Sequence, residues 1–120
     1  MLRQPTIVLF LIIFLVSSTG IMAQDALEKL QDIAIIDQKV MMPMGDGIKL
    51  ATDIFRPKTD QPVPVIFVKT PYNFNSWRDG ELRTRTYRGA LNAVKRGYAY
   101  VIQNERGRYF SQGEWDILGV

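Results

Sequence analysis

The chain contains no histidine and no cysteine. Without an imidazole these residues cannot assemble a complete Ser-His-Asp or Cys-His relay, which needs a base that accepts the nucleophile's proton near neutral pH. Without a thiol there is no disulfide, no thiolate zinc site and no cysteine nucleophile. Charge of one sign is scarce as well: 15 basic residues face 12 acidic ones, and a formal charge of +3 is too weak an excess to point to nucleic acid. Internal repeats and low-complexity tracts are absent. What remains is an ordinary globular composition in 120 residues, enough for one small domain.

The longest hydrophobic run lies near the start. Ile7 to Val16 is ten residues of apolar sequence, short for a bilayer span. Arg3 precedes it, and Ser17-Ser18-Thr19-Gly20-Ile21-Met22-Ala23 supplies small residues after it. This order reads as a secretory signal peptide over residues 1–23, cleaved after Ala23 or, alternatively, after Gly20. The implied destination is the periplasm or the exterior, with only transient membrane contact. An uncleaved membrane anchor is the rival reading. No cysteine follows, so a lipoprotein anchor is excluded.

Residues 24–38 form a lead-in. Ala26, Leu27, Leu30, Ile33 and Ala34 recur at helical spacing, so a short amphipathic helix is expected between Asp25 and Gln38. A domain is expected to occupy residues 39–120, opening with a hairpin over Lys39–Pro57. Its turn is Gly45-Asp46-Gly47, residues that tolerate positive φ. In the second arm Ile48, Leu50, Thr52 and Ile54 fall on one face, and Lys49, Ala51, Asp53 and Phe55 on the other. Gly-Asp-Gly lacks the spaced acidic ligands of a calcium loop, so no metal site is expected.

Val63 to Tyr72 (VPVIFVKTPY) is an apolar, β-branched run ending in a Thr-Pro-Tyr corner. It predicts a central strand buried on both faces, with the corner where α/β sheets place ligands. Glu81 to Arg96 predicts a helix with Asp79 as N-cap and Gly97 just past its end. Leu82, Ala90, Leu91, Ala93 and Val94 would form its apolar stripe. The basic residues Arg83, Arg85, Arg88, Lys95 and Arg96 read as a solvated face. Tyr98 to Gln103 predicts a second strand, completing a parallel βαβ unit. The loop Asn104–Asp116 holds Gly107 and Gly113 but no Lys-Ser or Lys-Thr, and neither glycine lies in a G-x-G-x-x-G. Nucleotide binding is therefore rejected, and no cofactor is expected.

Taken together, Pro43-Met44-x-Asp46-Gly47-x-x-Leu50, Asp53-x-x-Arg56-Pro57, Thr70-Pro71-Tyr72, Arg96-Gly97-Tyr98 and Arg106-Gly107-x-x-x-Ser111-x-Gly113 resemble the amino-terminal part of the X-Pro dipeptidyl-peptidase and cocaine esterase family of α/β-hydrolases. The resemblance covers about Val40 to Asp116. It implies an α/β fold beginning with an antiparallel hairpin, and a serine acyl hydrolase that cleaves an ester or amide through an acyl-enzyme. Its substrate would be a small molecule or a peptide. It also implies one catalytic residue here: Tyr72, whose hydroxyl would stabilise the oxyanion. From the residues alone Tyr72 reads as a ring packed on a strand end. The nucleophile, acid and base have no matching positions, so the chain is expected to be a fragment truncated before the nucleophile and inactive alone. Ser111 lies in no G-x-S-x-G and is expected to bond within its loop, with Arg106 as the candidate partner. The family's usual Asp two residues before Arg-Gly is replaced by Asn104, which puts the carboxylate partner of Arg106 in question. The alternatives are a non-catalytic secreted binding module and a degenerate hydrolase. Homo-oligomerisation of a full-length protein stays open.

Overall fold

The buried middle of the molecule is a pair of strands that meet antiparallel in one mixed sheet. The computed structural model describes residues 18–75, 77–78, 81–82 and 85–117. The elements are α1 (Ser18–Ile33), β1 (Ala34–Pro43), β2 (Lys49–Pro57), β3 (Val65–Thr70), β4 (Trp77–Arg78), β5 (Glu81–Leu82), α2 (Arg85–Lys95) and β6 (Ala99–Asn104). Four strands form the sheet in the order β1-β2-β6-β3. β1 and β2 are the antiparallel hairpin, β2 and β6 are antiparallel, and β6 and β3 are parallel. The α/β architecture expected from the sequence is therefore present, and α2 is the crossover of the βαβ unit.

The hairpin turns as its chemistry requires. Gly47 takes φ +87°, the amide of Gly47 donates to Met44 O at 3.0 Å, and Asp46 Oδ1 accepts from the amide of Ile48 at 3.3 Å. The end of α2 follows the sequence reading too. Gly97 takes φ +83°; its amide donates to Val94 O, and that of Tyr98 to Ala93 O, which is the Schellman closure of a helix.

Alternation sorts the sheet's two faces. Phe55, Val68, Tyr100 and Ile102 point to one side and join Ala26, Leu30, Phe74, Tyr87, Leu91 and Val94 in a single apolar cluster. Both helices supply that cluster, so they cover the same face. Burial of such side chains contributes about 1.5–3 kcal/mol each.

Three expectations are corrected. The lead-in is not a helix to Gln38: α1 ends at Ile33 and β1 begins at Ala34, five residues before the expected start of the hairpin. The run Ala34-Ile35-Ile36 reads equally as helix or strand, and pairing with Phe55–Pro57 decides for strand. α2 begins at Arg85, not Glu81, because Glu81 and Leu82 pair with Arg78 and Trp77 in a small hairpin. The expected N-cap Asp79 and Arg83 lie outside the described residues.

The third correction concerns Val63–Lys69. β3 is an edge strand with β6 as its neighbour, and Val65 and Phe67 are 59% and 55% exposed. Of the two parallel strands the interior one is β6, because it inserts between β2 and β3. An apolar run reports a surface that is to be covered, and does not say which residues cover it.

Of the expected signal peptide, Arg3 and Ile7–Val16 lie outside the described residues. Among the described residues no helix is long and apolar enough to cross a membrane.

Candidate active site

Thr70, Pro71 and Tyr72 end β3 at the carboxyl edge of the parallel pair. Thr70 lies opposite Asn104, the last residue of β6. That register brings the start of the β6 loop against the corner. Thr70 Oγ1 accepts from the amide of Tyr72 at 3.1 Å, closing a side-chain turn. All three carbonyls of the corner are then held from the β6 side. Asn104 Nδ2 donates to Thr70 O at 3.2 Å and to Tyr72 O at 2.9 Å. The amide of Glu105 donates to Thr70 O at 3.1 Å, and Arg108 Nε donates to Pro71 O at 3.0 Å.

Asn104 is fully buried. Both of its acceptors are carbonyl oxygens, so its NH₂ must face them; the reverse orientation would set oxygen against oxygen. A deprotonated carboxylate at this position has no proton to donate to either carbonyl. Asn104 Oδ1 is buried without a hydrogen-bond partner among the described residues.

Arg108 is held in turn by aromatic rings. Its guanidinium carbon lies 4.6 Å from the ring centroid of Trp115 and 5.5 Å from that of Tyr109. Trp115 Nε1 donates to Glu105 Oε2 at 3.2 Å.

With its backbone fixed, Tyr72 leaves its side chain outside. The residue is 76% exposed, and its hydroxyl has no hydrogen-bond partner among the described residues. Tyr72 borders a cavity of about 570 Å³ lined also by Val68, Thr70, Asn73, Phe74, Asn75, Arg85, Thr86, Tyr100 and Ile102. Burial raises the pKa of the Tyr100 phenol in its wall, against a smaller opposing pull from the charge of Arg85. The cavity thus meets one exposed phenol, Tyr72, at its rim and one partly buried phenol, Tyr100, in its wall.

Ser111 does not pair with Arg106. Its Oγ accepts from the amide of Ala51 at 2.9 Å and donates to Asn104 O at 3.0 Å. β6 pairs with β2 over Thr52–Phe55, so the amide of Ala51 lies beyond the ladder and would otherwise be an unpaired buried donor. Gln112 continues the substitution, exchanging bonds with the backbone of Lys49. A hydroxyl committed in both directions is not a free nucleophile. Arg106 instead meets Asp46 of the hairpin turn at 2.6 Å. Its hydrogen bond holds the Asp46 carboxyl below the ordinary carboxylate value. The carboxylate partner in question is therefore found, one turn away in space and 60 residues away in sequence. Gly113 makes room for it: a Cβ there would lie 2.8 Å from Arg106 Cγ.

Sequence reasoning singled out Tyr72 through the family resemblance and missed what holds its backbone. Asn104 was visible only as a departure from a pattern, and Arg108 carried no signal at all. Their roles depend on which carbonyls the register brings within reach. Among the described residues no three acidic side chains converge on a metal position.

A hairpin leading into a parallel βαβ unit, with a fixed polar corner after the first parallel strand, is the front of an α/β-hydrolase fold. The chain belongs to the X-Pro dipeptidyl-peptidase family (S15), whose pattern matches residues 46–120. It is 42% identical over 81 residues to cocaine esterase of Rhodococcus sp. (strain MB1 Bresler), covering 67% of this chain and 13% of that protein. Among solved structures it resembles an α-amino acid ester hydrolase (33% identity, TM-score 0.53) and an aminopeptidase from the marine sediment archaeon Thaumarchaeota archaeon (30% identity, TM-score 0.54). Each match covers 70% of this chain and 14% of the relative. The chain thus spans about one seventh of the length of these hydrolases.

Proposed function

We propose that the complete protein is a secreted serine acyl hydrolase in which Tyr72 stabilises the oxyanion. The observation that carries this reading is the corner itself: a backbone held at three successive carbonyls presents an unpaired phenol at the rim of a cavity. An oxyanion donor needs that arrangement, because its benefit comes from being aimed before the charge develops. Relatives named as an esterase, an ester hydrolase and an aminopeptidase support acyl transfer as the reaction class.

In the proposed reaction a serine oxygen attacks the carbonyl carbon of an ester or amide and gives its proton to an imidazole. The carbonyl oxygen becomes an oxyanion and accepts a hydrogen bond from the Tyr72 hydroxyl, beside a backbone N–H following the nucleophile. Collapse expels the alcohol or amine, which takes the imidazole's proton, and water then cleaves the acyl-enzyme. The imidazole is not among these 120 residues, which contain no histidine. The substrate is a small molecule or a peptide, and no cofactor takes part.

The test is Tyr72→Phe in protein expressed from the complete reading frame, assayed on a p-nitrophenyl ester and an Ala-Pro-anilide. Loss of one preorganised donor lowers kcat by ~10²–10³-fold. Undiminished turnover would remove Tyr72 from the mechanism.

A further inference from the structure

The register of the β1–β2 hairpin breaks between Asp37 and Val40, and within the break Lys39 adopts φ 55°. That conformation is sterically unfavourable for a residue with a Cβ. Asp53, in the middle of β2 and 0% exposed, holds it there. Asp53 Oδ1 accepts from the backbone amide of Lys39 at 2.8 Å and from its Nζ at 2.9 Å, and Oδ2 accepts from Nζ at 2.9 Å. The ammonium is therefore pinned by both carboxylate oxygens and cannot sample other rotamers freely.

The same ammonium lies 4.7 Å from the ring centroid of Phe74. Phe74 is buried in the apolar cluster, two residues beyond Tyr72, and its carbonyl accepts from Thr86 Oγ1 at 3.0 Å. A cation over a ring face is attracted by the ring's quadrupole, so a fixed cation fixes the ring laterally. Asn104 and Arg108 hold the corner from the β6 side; the Asp53–Lys39–Phe74 line holds it from the hairpin side.

We infer that Lys39 is a positioning residue for Tyr72, acting through Phe74, with Asp53 as the anchor that keeps its ammonium in place. This rests on the proposed oxyanion role of Tyr72. It gives a role to a buried carboxylate in β2 and a strained lysine in β1. A pair that merely closed the bulge would leave the order of the corner unaffected.

The experiment uses protein from the complete reading frame and reads hydrogen exchange of the amides at residues 72–75 together with kcat and KM. Lys39→Met with Asp53→Asn removes both charges at nearly constant volume and strands neither. The expected result is faster exchange at 72–75 by ~10-fold or more, and a kcat lower by ~10–10²-fold with KM within ~3-fold. Lys39→Arg, which can both pair with Asp53 and stack on Phe74, restores both readouts. Phe74→Leu, with the ion pair intact, gives the same exchange change, and adding the double substitution to it gives no more. Unchanged exchange in the folded double variant overturns the inference, as does unchanged exchange in Phe74→Leu should the double variant fail to fold. Faster exchange with unchanged kcat overturns the link to chemistry. A parent protein that cleaves no ester sinks the hydrolase reading, while the exchange data still decide whether Lys39 orders the corner.

Discussion

Replacing Asn104 by alanine removes two donors from the corner that carries Tyr72, and the structure fixes the size of the effect. Thr70 O keeps a partner, the amide of Glu105 at 3.1 Å, so it loses one bond of two, about 0.5–1.5 kcal/mol. Tyr72 O loses its side-chain donor outright, which costs up to about 1–3 kcal/mol. Against this, Asn104 Oδ1 is itself buried without a partner, and its removal recovers a penalty of that same ~1–3 kcal/mol class. The two larger contributions roughly cancel, and the balance is a local destabilisation of ~0.5–1.5 kcal/mol, a factor of about 2–13 in the opening equilibrium. The assay is native-state hydrogen exchange of Tyr72 and Glu105, whose amides close this corner. Exchange there should accelerate by that factor while the amides of the β1–β2 ladder stay unchanged. Turnover should fall with it, since the donor is no longer aimed. Wild-type exchange at Tyr72 and Glu105 in Asn104→Ala would refute the claim that the side-chain amide holds the corner.

Other outcomes follow from single contacts. Gly107→Ala would drive a Cβ into the Trp115 amide nitrogen at φ +69° and should disrupt the whole loop, whereas Gly97→Ala meets open space and should lower stability by only ~1–2 kcal/mol; comparing their melting temperatures tests the distinction. Asp46 has a pKa depressed by Arg106, so its stabilising contribution is complete above the ordinary carboxylate value and is lost as pH falls through the lowered one. Arg106→Gln should move the Asp46 titration, followed by NMR, upward towards that ordinary value. Val65 and Phe67 lie exposed on the free edge strand, so the 120-residue chain expressed alone should self-associate, and Val65→Lys with Phe67→Lys should suppress it. A monodisperse unmodified monomer in sedimentation would contradict that.

Local chemistry made several elements legible. Gly45-Asp46-Gly47 forces a turn through positive φ, Gly97 stops α2 because it can adopt the left-handed conformation its amide bonds require, and alternation in β2 separates Phe55 from Thr52. Where the sequence misled, two structures satisfied the same pattern. Ala34-Ile35-Ile36 suits a helix or a strand until Phe55–Pro57 is available to pair. Glu81-Leu82 suits the first turn of a helix until Trp77-Arg78 claims it. Val65-Ile66-Phe67 announces a surface to be covered, yet the strand order makes it an edge.

The sequence by itself determined the class of the fold and the turn residues, because each is written in a short stretch whose φ/ψ or periodicity admits few conformations; Tyr72 is singled out only by the resemblance to the family. It also determined that no imidazole is available. Only the tertiary structure decided what holds the corner at Tyr72. Asn104 and Arg108, Lys39, and Phe74 come from three separate segments, and the carbonyls that Asn104 and Arg108 hold are backbone groups that any residue type could have offered. Which of those groups fall within hydrogen-bonding distance is set by strand register and by one bulge in β1, and neither can be read before the chain has folded.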